Sequence, residues 1–201
     1  PSSTNTPPIR TAMSYCYVAT FPRHALHIKD GVEGPASQIA KKGSAVVFAV
    51  DLFNAAYAAT LDDRRFNEWP DCFVEDARYK VQARENFDRG LPLALLALES
   101  RGMLRDRIYG TSQTIYHGPY YTRHVVSPAR ITQAGAGTTD DPIQAEAHYA
   151  VFRTKPGGVS EVYNVGRYID AFVNTDSGLQ LKSRTCVYDS EMVLNSLIYP
   201  I

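Results

Sequence analysis

The stretch that decides the fold is "IQAEAHYAVFRTKPGGVSEVYNVGRYIDAFVNTDSGLQLKSRTCVYDS", residues 143–190. It divides into three strand-like runs, 143–154, 160–174 and 179–190, in which apolar and polar residues alternate with the period of 2 that a half-buried strand requires. "KPGG" and "NTDSG" separate the runs, and both carry hairpin-turn chemistry. A fourth run, "YYTRHVVSPARITQ" (120–133), precedes them across "AGAGTTDDP". In the last run Leu179, Leu181, Thr185 and Val187 fall on one face, and Gln180, Lys182 and Arg184 on the other.

Upstream the period changes. In "SAVVFAVDLFNAAYAATLDD" (44–63), Val46, Val50, Phe53, Tyr57 and Leu61 recur every three or four residues, the stripe of a helix that Asp62 and Asp63 close. The Trp69–Pro70 step breaks any helix there, and Tyr79 and Val81 begin an extended stretch. "LPLALLALESRGMLRDRIYG" (91–110) reads as a second helix, with Leu95, Leu98, Met103, Leu104 and Ile108 for its buried side. Residues 1–44 are rich in Pro, Ser, Thr and Gly and show neither period, so they read as an irregular N-terminal extension to a domain over 45–201. Helices first and a meander after them predict an α+β domain, a curved antiparallel sheet with helices packed on one face.

Composition narrows the function. The chain has 201 residues, with 21 Lys+Arg against 21 Asp+Glu, and so no field to gather nucleic acid or anionic lipid. Hydrophobic residues make up 44%, and 13 tyrosines supply polar-tipped rings for the rim of a packed core. Three cysteines, Cys16, Cys72 and Cys186, are too few and too scattered for a disulfide framework. Neither a signal-peptide block nor an apolar run approaching the ~20 residues of a membrane span is read, which predicts a soluble cytoplasmic protein.

Candidate sites are sparse. His24 and His27 are three apart but have no Cys or carboxylate at ligand spacing, and no Cys-x-x-Cys, Cys-x-His or His-Glu-x-x-His occurs. "GAG" at 135–137 lies in a turn, and no Gly-x-Ser-x-Gly elbow is present. Cys72 reads as a buried thiol rather than a nucleophile. One constellation carries chemistry: His124 with Asp62 or Asp63, flanked by Tyr57 and Tyr79, could line a cone closed by helices. A histidine base oriented by a carboxylate, with tyrosines to polarise a carbonyl, suits a dehydratase or an isomerase. Against it, Arg123 and His124 are neighbours on a strand and must point to opposite faces, which suits an architectural pair equally well.

A resemblance bears on that choice. "FNAAYAATLDDRRFNEWPDCFVEDARYKV", "ENFDRGLPL", "MLRDRI", "YYTRHVVS", "EVYNVGRYIDAF" and "LQLKSRTCVYDSEMVLNSLIYPI" occur in that order from about Phe48 to Ile201. Together they resemble the small (β) subunits of aromatic-ring-hydroxylating dioxygenases, above all those acting on terephthalate-, salicylate- or benzoate-type acids. The resemblance implies a cystatin-like or NTF2-like cone and an α3β3 hexamer with the β chains at its base. It places the Rieske [2Fe–2S] cluster and the mononuclear Fe(II) in the α subunit, with NAD(P)H feeding electrons through a reductase or ferredoxin. It leaves this chain no catalytic, cofactor or metal residue of its own. The subunit-interface candidates are then Arg123, His124, Leu197, Tyr199 and Ile201, and the 1–44 extension falls outside the pattern.

Overall fold

A computed structural model describes residues 35–114, 117–190 and 197–201. Helix α1 spans Pro35–Asp62, so it begins eleven residues before the apolar stripe does at Val46. Pro35 sits where a missing N–H costs nothing. The Ala, Gln and Lys residues after it favour helix without forming a stripe, which hides the turn from a search for periodicity. Cys16, His24 and His27 lie outside the described residues.

Val50, Asn54, Tyr57 and Leu61 form the buried side of α1, whereas Phe48 and Leu52 are exposed. Contrary to the sequence reading, Ser44–Asp62 is by length and composition alone apolar enough to cross a membrane. In this fold it is the helix that closes the sheet. It ends in a Schellman turn: Arg65 N–H donates to the Thr60 carbonyl, Arg64 N–H to the Leu61 carbonyl, and Arg64 takes φ 59°. A glycine would hold that angle without strain. Arg64 is held instead by a hydrogen bond to the Tyr120 carbonyl (2.6 Å) and by lying over the Tyr121 ring.

A 3-10 turn at Trp69–Cys72 leads into β1 (Phe73–Ala83), followed by α2 (Arg84–Asp88), β2 (Leu96–Leu98) and α3 (Arg101–Gln113). The helix expected over 91–110 is therefore corrected. Its first half is an extended segment in which Leu96 pairs with Val81 and Leu98 with Tyr79, and Leu95 is exposed. Ser100 decides the boundary: its hydroxyl accepts from Met103 N–H and caps α3. Short apolar runs read alike as strand or helix, and here pairing with β1 won. Met103 is exposed, while Leu98, Leu104 and Ile108 are buried as expected.

The run 120–133 divides at Pro128 into β3 (Tyr121–Val126) and β4 (Arg130–Gln133), which pair with successive stretches of β5 (Ile143–Thr154). Strands β6 (Ser160–Thr175) and β7 (Gly178–Tyr188) complete one seven-stranded sheet of order β2-β1-β7-β6-β5-β3, with β4 also on β5. The sheet is mixed rather than wholly antiparallel, because β1 and β7 run parallel. A parallel pair needs a long crossover, and everything between β1 and β7 supplies it. The α+β cone itself is as expected, with its core between α1, α3 and the concave face of the sheet.

Candidate functional site

The interior of the cone is built around one main-chain oxygen, that of Ile201. Tyr57 on α1 and Tyr79 on β1 both donate their hydroxyls to it, at 2.9 and 3.1 Å. Each hydroxyl is itself committed as an acceptor. Trp69 Nε1–H donates to Tyr57, and Ile201 N–H and the Cys186 thiol converge on Tyr79. Burial pushes both phenols well above their ordinary pKa and lifts the Cys186 thiol to about 12, so all three stay protonated donors. Ile201 is 1% exposed and fills the space that helices and curved sheet enclose.

Beside this lies a buried ion pair. Arg184 on β7 reaches both carboxylate oxygens of Asp170 on β6, at 2.8 and 2.7 Å, and donates to the Asn54 side-chain oxygen at 2.6 Å. Its guanidinium sits 4.2 Å from the Tyr57 ring centre and 4.0 Å from that of Tyr168. Burial alone would weaken its proton, but Asp170 outweighs that and holds Arg184 charged.

Periodicity put Arg184 on the polar face with Gln180 and Lys182. The structure turns it inward, because β7 carries one extra residue between Leu181 and Ser183, opposite Phe172 and Ala171 of β6. That bulge reverses the parity of the strand, so Leu181, Arg184, Cys186 and Tyr188 share the core face. An uninterrupted alternation in sequence holds no sign of it.

His124 and Asp62 do meet. His124 Nδ1 lies 2.6 Å from one carboxylate oxygen, and the other accepts the His124 main-chain N–H at 2.9 Å. Burial raises Asp62, but these bonds outweigh it and hold its carboxyl below the ordinary value. The other ring nitrogen, Nε2, is buried with no hydrogen-bond partner among the described residues. The ring is thus held rather than presented. Asp63 is exposed and pairs with Arg65, and Tyr57 and Tyr79 bond to Ile201 instead of facing His124. Asp62 also serves the sheet: it caps an outward N–H of edge strand β3, as Asp51 caps Ala129 N–H. A groove of about 640 Å³ runs between α1 and β3, lined by Asn54, Asp62, Arg123 and His124 among others.

Comparison with known proteins places this cone. The SnoaL-like domain family matches residues 49–185. The anthranilate 1,2-dioxygenase small subunit of Burkholderia cepacia is 32% identical over 154 residues, 77% of this chain and 93% of that one. A β subunit of the terephthalate 1,2-dioxygenase terminal oxygenase of a Comamonas species is 32% identical over 76% of this chain and 96% of its own. A crystal structure from Novosphingobium aromaticivorans, assigned to the β subunit of an aromatic-ring-hydroxylating dioxygenase, superposes with a TM-score of 0.69 at 39% identity, covering 83% of this chain and 99% of that one.

The chain belongs to the small (β) subunits of aromatic-ring-hydroxylating dioxygenases.

Within this small subunit the interface candidates divide sharply. The Arg123 side chain is 69% exposed, with its guanidinium 4.0 Å from Asp62, while the His124 side chain is fully covered. Leu197, Tyr199 and Ile201 are buried against the chain's own core. Tyr199 stacks on Phe66 and packs at a tilt against Tyr120, with its hydroxyl 2.7 Å from His117 Nε2, and Arg107 holds the Leu197 and Ile198 carbonyls. Among the described residues no three His, Cys, Asp or Glu cluster as metal ligands would.

Proposed function

We propose that this small subunit is the non-catalytic, assembly-forming component of a dioxygenase that places oxygen from O2 on a carboxylated aromatic ring of terephthalate or salicylate type. The α subunits would hold the Rieske [2Fe–2S] cluster and the mononuclear Fe(II), with electrons from NAD(P)H arriving through a reductase or ferredoxin. The complex would be a cytoplasmic α3β3 hexamer in which β chains also touch one another. One observation carries the reading: the interior where a cone enzyme would take substrate is filled by Ile201, tied to two tyrosines.

The outer face of the sheet supports it. Arg123 of β3 lies opposite Phe152 of β5, which lies opposite Val162 of β6, and Val125, Ala150 and Val165 form the next row. Tyr121, Val125, Phe152, Val162 and Val165 are all more than a third exposed there, an apolar surface suited to a neighbouring subunit. Reconstitution tests the reading: the iron-bearing α chain alone should turn over poorly, and adding this chain should restore ring hydroxylation without altering the iron content.

The Asp62–His124 pair favours a second reading, a stand-alone dehydratase or isomerase with His124 as base and Asp62 as its orienting carboxylate. It requires turnover with no metal, partner or reductant, abolished by His124→Ala. Under the subunit reading the same substitution alters stability or assembly alone.

A further inference from the structure

Among the described residues Arg64 is the only one other than glycine with a positive φ. Glycine would hold that turn without strain, so what the arginine adds is its side chain. The Tyr120 carbonyl takes one of its donors at 2.6 Å, and its guanidinium carbon lies 5.1 Å from the centre of the Tyr121 ring. An exposed arginine ordinarily samples many rotamers. This one is fixed before any ligand arrives, so ordering it costs a ligand little.

Arg64 lines a cavity of about 350 Å³ between the turn that follows α1 and one face of α3. That volume is in the range of small-molecule sites. Arg105 of α3 lines it as well, and no Asp or Glu is among the lining residues. Neither arginine pairs with a carboxylate among the described residues, whereas the neighbouring Arg65 pairs with Asp63 and Glu68. The side-chain amides of Asn67 and Gln113 also face the cavity with no hydrogen-bond partner among the described residues. The rest of the lining is apolar. Pro70 and Ile108 are buried, Phe66 is half-buried, and the Tyr109 ring stands 66% exposed at the edge.

A guanidinium matches both oxygens of a carboxylate at once, and aromatic rings pack against a flat apolar body. A bare inorganic anion would satisfy the arginines and leave the apolar lining uncovered. We propose that this cavity binds a small aromatic carboxylate, with Arg64 and Arg105 holding the acid group and Phe66 and Tyr109 flanking the ring. The site is built wholly from this chain and holds whether or not the scaffold reading does.

The test uses the full chain as it purifies with any partner chains, and reads where a probe lands. 4-Azidobenzoate, photolysed below saturation, should label peptides from 64–70 and 105–113, mapped by mass spectrometry. Benzoate should block that labelling. Benzamide, which lacks the charge, acetate, which lacks the ring, and inorganic phosphate should each block it at least tenfold less well at matched ionic strength. Arg105→Gln and Arg64→Gly should each cut the labelling about tenfold, the worth of one hydrogen bond to a charged group. Glycine suits the positive φ and residue 105 is exposed, so both variants should keep the native circular dichroism. Absence of label from these peptides in the assembled protein would overturn the proposal. So would equal protection by benzamide, acetate or phosphate, or wild-type labelling of both folded variants.

Discussion

Arg184 and Asp170 form a two-pronged ion pair with no solvent access, clasped between the rings of Tyr57 and Tyr168. The pair ties β6 and β7 together and, through Asn54, ties both to α1. Removing one partner strands the other charge in the core. Arg184→Met should therefore cost on the order of 3–5 kcal/mol, and the double variant Arg184→Met/Asp170→Leu should regain most of it. Urea denaturation of both singles and the double checks this. A loss in the double equal to the sum of the two single losses would show that the pair contributes no coupling.

Asp62 sets an acid limit. Its folded-state pKa lies below the ordinary carboxylate value, so its contribution is complete above about pH 4 and is lost as pH falls through the folded pKa. Asp62→Asn should lower stability at neutral pH by about 1.5–3 kcal/mol, the range for hydrogen bonds to a charged group. It should also flatten the acid limb of a melting-temperature profile. A variant with the wild-type acid limb would place the proton uptake elsewhere.

At alkaline pH the tyrosines govern. Burial raises Tyr57, Tyr79, Tyr149 and Tyr168, so the neutral phenols stabilise the fold below about pH 10 and that contribution is lost as pH climbs above it. Ultraviolet difference absorbance should show these four ionising only in one step with unfolding, apart from the more accessible rings. Smooth, reversible titration of all 13 tyrosines while circular dichroism stays native would contradict this packing.

The outer sheet face separates assembly from stability. Val125 and Val162 are more than half exposed, so Val125→Glu/Val162→Glu should change folding stability by no more than about 1 kcal/mol. Its effect should fall on association, read by light scattering of the variant co-expressed with its α chain. Unaltered assembly would move the interface off this face.

Much of this architecture was legible in the sequence because burial imposes a period. Val50, Tyr57 and Leu61 announced α1, and the alternation over 143–154 announced β5, whose inward face proves to be Ala145, Ala147, Tyr149 and Val151. Legibility failed where geometry departs from period. Leu95 to Leu98 look helical until β1 claims them, and Arg184 looks solvated until the extra residue beside Leu181 reverses its strand. At the candidate site, Tyr57, Tyr79, His124 and Asp62 were all singled out, but their partners were not. The tyrosines bind a main-chain oxygen 144 and 122 residues away, and a main-chain acceptor has no signature in side-chain identity.

The central claim, that this chain works as a scaffold for iron-bearing subunits, is tested most directly by native mass spectrometry with iron analysis. The tagged chain would be purified from cells that also express its neighbouring genes. The account predicts a complex holding a larger chain in equal number, with all of the iron lost when that chain is absent. An iron-free monomer or homodimer, purified without a partner although the larger chain is expressed, would contradict it.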